Sequence, residues 1–282
     1  MAEANRSVFK FYLALIDSFS EYLLKKYSKS SLDNPNHYKT TIIQKIAKMF
    51  HTLESISKEG NDEVSSRCVL RGLLDNVATY CFIYQRDNNV DILFRHYLYA
   101  LDGFKSLKDT LIDGILEENK TFHFEAICDV VILQLKTKLS SHVYYNTYNE
   151  FASKVIQNAN WKYESIKNPT GITFTTMYKQ IGFDDKLANY YQRFLSQFSH
   201  GLCLSNSPVT NSEQIEKVLV ESIPIADRII QAICNTFPKE EMIRFVFQSE
   251  TLINAISQPD FVFDELFDFA KALIRKDKTI IF

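Results

Sequence analysis

The sequence predicts an all-α protein, and three observations carry that expectation. Apolar residues recur at three- and four-residue spacing almost throughout the 282 residues, while convincing two-residue alternation is scarce. Glycine and proline supply only 7 and 6 residues. That is well under the roughly 12% share of an average chain, so turn-dense sandwiches and barrels lack their punctuation. With 46% hydrophobic residues, 22 Phe and 15 Tyr among them, the chain is long and apolar enough to bury a full core.

The elements follow in order. A first helix is expected from about Arg6 to Ser28, closed by the polar stretch Ser30-Ser-Leu-Asp-Asn-Pro-Asn36. A second runs from about His37 to Lys58, where Gly60 offers a left-handed stop and Asn61 or Asp62 the next cap. The third spans about Glu63 to Gln85 and is broken by Asn88-Asn89. A fourth continues to about Asn119, weakened by Gly103 and Gly114. A fifth and sixth cover about Thr121 to Asn158, joined near Ser140-Ser141. Trp161 to Phe183 is the least regular stretch: Asn168-Pro-Thr-Gly171 has turn chemistry and Ile172 to Met177 is β-prone. A helix from about Asp184 to Leu202 ends at Gly201 and Ser205-Asn-Ser-Pro208. Thr210-x-x-Glu213 has capping-box spacing and opens a helix to about Thr236. Pro238 and Pro259 sit at first-turn positions of two final helices. The expectation is nine or ten helices in one unit: a helical pair over residues 1–60, a central bundle over 61–205 and an extension over 206–282.

Charge and motif content narrow the function. With 32 basic and 34 acidic side chains, the formal charge of −2 gives no broad attraction for nucleic acid or an anionic membrane. No apolar run approaches the roughly 18 residues that span a bilayer, and Lys10 and Asp17 interrupt the first helix, so a cytoplasmic protein without a membrane partner is expected. The five cysteines contain no Cys-x-x-Cys pair and read as reduced, buried thiols. Phosphate-cradling glycine loops, His-Glu-x-x-His, EF-hand loops and Gly-x-Ser-x-Gly are all missing, and His123 and Glu125 point away from each other on a helix. No cofactor or metal is expected.

Two polar clusters stand out. On the helix that begins at Asp184, Leu187, Tyr191, Phe194, Leu195, Phe198 and Leu202 group on one side. Arg193, Ser196 and His200 stack on the other, flanked by Asn189 and Gln197, with amides and hydroxyls where Lys and Glu usually dominate. On the third helix Arg67, Arg71 and Asp75 form a single row at four-residue spacing, at or inside an apolar stripe. They either form a half-buried ion pair that fixes helix packing or line the same polar interior as Arg193 and His200.

Arg193-Phe-Leu-Ser-Gln-Phe-Ser-His200 resembles the Arg, four to six residues, His motif of the HEPN superfamily. Arg71-x-x-x-Asp75, Trp161 and Tyr190-Tyr-Gln-Arg-x-x-Ser-x-x-x-His200-Gly are similar to a bacterial HEPN-like helical family of unknown function, which usually has Glu in place of Asp75. The resemblance spans about residues 61 to 205 and implies a HEPN-like central bundle.

The resemblance also implies a chemistry: metal-independent endoribonuclease activity, acting as a homodimer, in a defence or toxin setting. His200 would serve as general base or acid, Arg193 would clamp the phosphate, and Ser196 would orient one of them. Arg71 with Asp75, and Arg67 beside them, would support the site. The alternative is a non-catalytic helical binding or assembly protein, whose Arg/His face forms a dimer contact or holds RNA or a nucleotide.

Overall fold

The computed structural model describes residues 2–29, 31–59, 62–110, 118–200 and 212–242. Among them the chain is all-α, with ten helices: α1 (Ala2–Lys26), α2 (Pro35–Glu59), α3 (Glu63–Tyr84), α4 (Asn89–Asp109), α5 (Glu118–Ser140), α6 (Val143–Thr147), α7 (Asn149–Gln157), α8 (Phe174–Gln180), α9 (Asp185–Ser199) and α10 (Ser212–Thr236). Side-chain caps set the starts that the sequence suggested. Asp62 accepts from the Ser65 amide at 2.8 Å, Asn88 from Val90 at 2.9 Å and Asp184 from Leu187 at 2.7 Å.

Two expected boundaries differ. The β-prone stretch from Ile172 to Met177 forms no strand; Thr173 caps α8 by accepting from the Thr176 amide, and a single antiparallel bridge, Tyr163 to Gly171, is the only β pairing among the described residues. A local hydroxyl cap here outweighs β propensity in a segment too short to find a partner strand. The fourth helix closes at Asp109, where the backbone N–H of Thr110 bonds back to Ser106 and Leu107, ten residues short of the expected end. The features expected at Gly60, Asn61, Gly114, Gly201, Ser205–Pro208, Thr210 and Pro259 lie outside the described residues.

α3 is the axis of the core. It packs against α2, α4, α8, α9 and α10, while α1 lies across α2 and α10, and α5 lies along α4. From Leu70 onward α3 buries residues on every side, including Leu73, Leu74, Val77, Ala78, Tyr80, Phe82, Ile83 and Tyr84. Each fully buried large apolar side chain contributes about 1.5–3 kcal/mol, so an encircled helix of this kind dominates the hydrophobic stabilisation. α5 is the opposite case: Phe124, Ile127, Val130 and Leu133 remain 48–67% exposed. No helix among the described residues is long and apolar enough to cross a membrane.

The irregular segment after α7 is held by one buried cation. Arg95 on α4 donates from Nε to Asp91 at 2.8 Å and from Nη1 to the carbonyls of Trp161 and Tyr163 at 3.1 and 2.8 Å. Its guanidinium lies between the rings of Phe82 and Tyr163. Trp161 donates its indole N–H to Asp102, which places this tryptophan in packing between α4 and the loop.

His96, fully buried on α4, meets the Tyr84 hydroxyl at Nδ1 (3.0 Å) and the Leu32 carbonyl at Nε2 (3.2 Å), a pairing that the neutral ring with its proton on Nε2 satisfies. Burial pushes its pKa down to about 4 from an ordinary 6.5. Between those values the unfolded chain takes up a proton that the folded chain refuses. The stability owed to the neutral ring is therefore complete above about pH 6.5 and lost as pH falls toward 4, an effect on the order of 3 kcal/mol. Urea unfolding of wild type and His96→Gln at about pH 7 and about pH 4.5 checks this. The wild type is expected to lose more stability than the variant, and equal losses would refute the assignment.

Candidate functional site

α9 is shaped by its two faces. Ala188, Tyr191, Leu195 and Phe198 are buried, and Leu187, Tyr190 and Phe194 are packed at the margin of the core. Asn189, Arg193 and His200 are exposed on the outside, and Ser196 and Gln197 are half-buried. At about 100° per residue, Arg193 and His200 lie within about 20° of one another around the axis and about 10 Å apart along it. His200 is the C-terminal cap residue of α9, its backbone N–H bonding to Ser196 and Phe198. Among the described residues, no side-chain hydrogen bond or ion pair engages Arg193 or His200. The Ser196 hydroxyl donates to the Gln192 carbonyl one turn back, not to either of them.

Arg71 and Asp75 lie beneath α9. Arg71 donates from Nε to Asp75 at 3.0 Å and from Nη2 to the Gln192 amide oxygen at 2.8 Å, while Nη1 reaches the carbonyls of Tyr191 and Gln192, both at 3.4 Å. The other Asp75 oxygen accepts from the Tyr178 hydroxyl on α8. Burial raises the Asp75 pKa, while Tyr178 and Arg71 pull it back down. The pair therefore pins α8 and α9 to α3. Arg71 and Ser196 converge on one atom, the Gln192 carbonyl oxygen.

Arg67 sits one turn earlier, 1% exposed. Its donors meet Glu63 at 2.7 Å, Glu221 at 3.3 Å and Gln214 at 3.4 Å, and its guanidinium lies against the rings of Phe194 and Phe198. Glu221 also accepts from the Tyr190 hydroxyl at 2.9 Å, and its backbone carbonyl accepts from Tyr191 at 3.1 Å. Burial and then Glu221 push the Tyr190 pKa up to about 12. The row read from the sequence as one cluster is therefore two separate knots. Arg71 with Asp75 joins α3, α8 and α9, and Arg67 joins α3, α9 and α10.

Four participants had no role in the sequence reading: Gln192, which stood there only within the quoted motif, and Tyr178, Glu221 and Gln214. Glu63 was legible as the i−4 partner of Arg67, but the others come from segments far away in the chain. The outer surface of α9 that remains is a shallow groove of about 330 Å³, lined by Asn189, Tyr190, Arg193, Phe194 and Gln197. Tyr190 and Phe194 stack there at 4.9 Å with 13° between their planes. The groove thus offers aromatic rings, one guanidinium and two amides. Among the described residues, no group of three or more His, Cys, Asp and Glu is placed to hold a metal ion.

No family model matches the sequence, and no curated protein or solved structure is similar enough to count as a match.

The two tiers of polar residues differ in their expected contribution to stability. Arg67→Ala leaves Glu63 and Glu221 without their buried cation and is expected to cost about 3–5 kcal/mol in urea unfolding. Arg193→Ala and His200→Ala are expected to change stability by less than about 0.5 kcal/mol. Losses of similar size in all three variants would place the outer residues in the packing as well.

Proposed function

We propose that this chain is a cytoplasmic, non-catalytic helical binding protein that takes single-stranded RNA on the outer face of α9. The observation that carries this reading is the groove: the stacked rings of Tyr190 and Phe194, bordered by Arg193, Asn189 and Gln197. The exposed rims of the stacked rings give bases an apolar surface without regard to sequence, a guanidinium pairs with phosphate, and amides bond base edges. The resemblance of Arg193 to His200 to the HEPN motif supports the same ligand class. A near-zero net charge and a single guanidinium fit modest binding with a shallow salt dependence rather than a broad electrostatic grip. Arg67, Arg71 and Asp75 serve this reading as the frame that holds α9 in place.

The catalytic reading rests on a different observation, that Arg193 and His200 share one side of α9. A single chain brings one imidazole and one guanidinium about 10 Å apart along the axis. In a homodimer with the two α9 faces opposed, a second Arg/His pair would complete an acid and a base about one phosphate. The RNA 2′-hydroxyl would be the nucleophile, with no metal needed, as expected of a defence or toxin ribonuclease.

One experiment separates the two. A labelled single-stranded RNA of about 12 nucleotides is titrated with protein in EDTA, with binding read by anisotropy and cleavage by gel. Binding without cleavage, weakened at least about fivefold by Arg193→Ala, is the expected result. Cleavage that disappears in folded Arg193→Ala and His200→Ala would establish the ribonuclease. Neither binding nor cleavage by wild type would overturn both.

A further inference from the structure

A second cavity lies away from α9, where the C-terminal ends of α3 and α8 meet the side of α10. It encloses about 540 Å³, with Cys81, Phe82 and Met177 among its walls. Two arginines reach it from different elements. Arg86, just past the end of α3, lies against the Phe82 ring and uses Nε to donate to the Phe82 carbonyl at 2.9 Å. Its terminal nitrogens have no partner among the described residues. Arg228 on α10 donates from Nη1 to Gln231 at 3.3 Å and from Nη2 to the Gly182 carbonyl at 3.4 Å, and its Nε is buried without an acceptor.

The sequence builds room for this second guanidinium at Gly182. That residue has φ of +96°, which favours glycine, and a Cβ there would come within 3.2 Å of the Arg228 Cζ, so a side chain would displace the arginine from the turn after α8. Each guanidinium carries five N–H donors, and three bonds use a minority of the ten. Capping the ends of α3 and α8 explains two of those bonds, the third is local to α10, and the other donors are left. For the N–H groups that two guanidiniums bring to one cavity, an oxyanion is the acceptor that satisfies both.

Charge and shape define the ligand further. The lining contains Arg86 and Arg228 against one carboxylate, Asp87, for a formal +1. Cys81 adds no negative charge, because burial pushes its thiol up to about 12. Guanidiniums arriving from two separate elements suit a tetrahedral group with three terminal oxygens better than a planar carboxylate, which one fork can satisfy. The volume exceeds what inorganic phosphate fills and falls within the range of small-metabolite sites. Two amides, Gln85 and Gln180, line the remainder and suit hydroxyl groups, while Gln231 is engaged by Arg228 and Asp227.

We propose that this cleft binds a small phosphate monoester with a hydroxyl-rich body, its phosphate held between Arg86 and Arg228. The site is separate from the α9 groove and independent of the RNA reading, because it shares no residue with it.

The test is calorimetric titration of the whole chain with ribose 5-phosphate, inorganic phosphate and ribose. Ribose 5-phosphate is expected to bind, inorganic phosphate more weakly, and ribose not at all. Arg86→Gln and Arg228→Gln, with folding checked by circular dichroism, are each expected to weaken binding at least about tenfold. Arg193→Ala is expected to leave it unchanged. Because Arg228 also supports the turn at Gly182, Arg86→Gln decides the matter if the other variant unfolds. The proposal is overturned if wild type shows no binding of ribose 5-phosphate at about 10 mM, which is well above the affinities typical of metabolite sites. Binding that survives in either folded glutamine variant, or that ribose reproduces, also overturns it.

Discussion

The guanidinium of Arg67 carries a full charge into the seam where α3, α9 and α10 meet, and much of the architecture around α9 depends on how that charge is answered. A buried cation is tolerated only when its donors find oxygens, and here they come from Glu63 on its own helix and from Gln214 and Glu221 on α10. Phe194 and Phe198 close over it from α9. Because Glu221 also takes bonds from Tyr190 and Tyr191, the rotation and height of α9 are tied to the same charge. What α9 shows to the outside is thus decided by what it meets on the inside.

Arg95 repeats the device at the other end of the bundle, where a loop without regular backbone bonding is stitched to α4 through the Trp161 and Tyr163 carbonyls. In both places a charge imposes one geometry on a contact that apolar packing alone would leave with several acceptable arrangements. That makes each a device of specificity more than of net stabilisation. The two differ in reach. Arg95 meets oxygens contributed within about seventy residues of chain, while Arg67 draws Glu221 from 154 positions away.

Helix content was legible because period 3.6 is a local property, and the cap at Asp62, the break at Asn88 and the helix start near Asp184 were legible for the same reason. Thr173 was equally local but was outweighed in the reading by the β-prone residues after it. The Arg71 to Asp75 pair could be read from its four-residue spacing, and its role in packing matches one of the two readings that the sequence left open. Gln192 could not be read: on a helical wheel it borders both faces, and only the position of α3 decides that it turns inward to Arg71. Arg86 and Arg228 were invisible as a pair because each is an ordinary surface-type residue until α3, α8 and α10 converge. Periodicity tells which side of a helix is apolar, but not which neighbour arrives there or at what angle.

α10 carries both ends of this arrangement, Glu221 before Pro224 and Arg228 after it. The order of synthesis gives that a kinetic meaning. The chain emerges from the ribosome with α3 and α9 complete before α10 exists, so Arg67 first has only Glu63 for company, and Tyr190 and Tyr191 lack their acceptors on Glu221. During that interval the seam holds a cation short of oxygens, and α9 is held to α3 through Arg71 and Gln192 without the tie to Glu221. The final shape of the α9 surface is therefore a late event, reached only when α10 brings Glu221 to Arg67, Tyr190 and Tyr191. A nascent chain of this protein passes through a stage in which α3 and α9 are formed but the surface of α9 is not yet set.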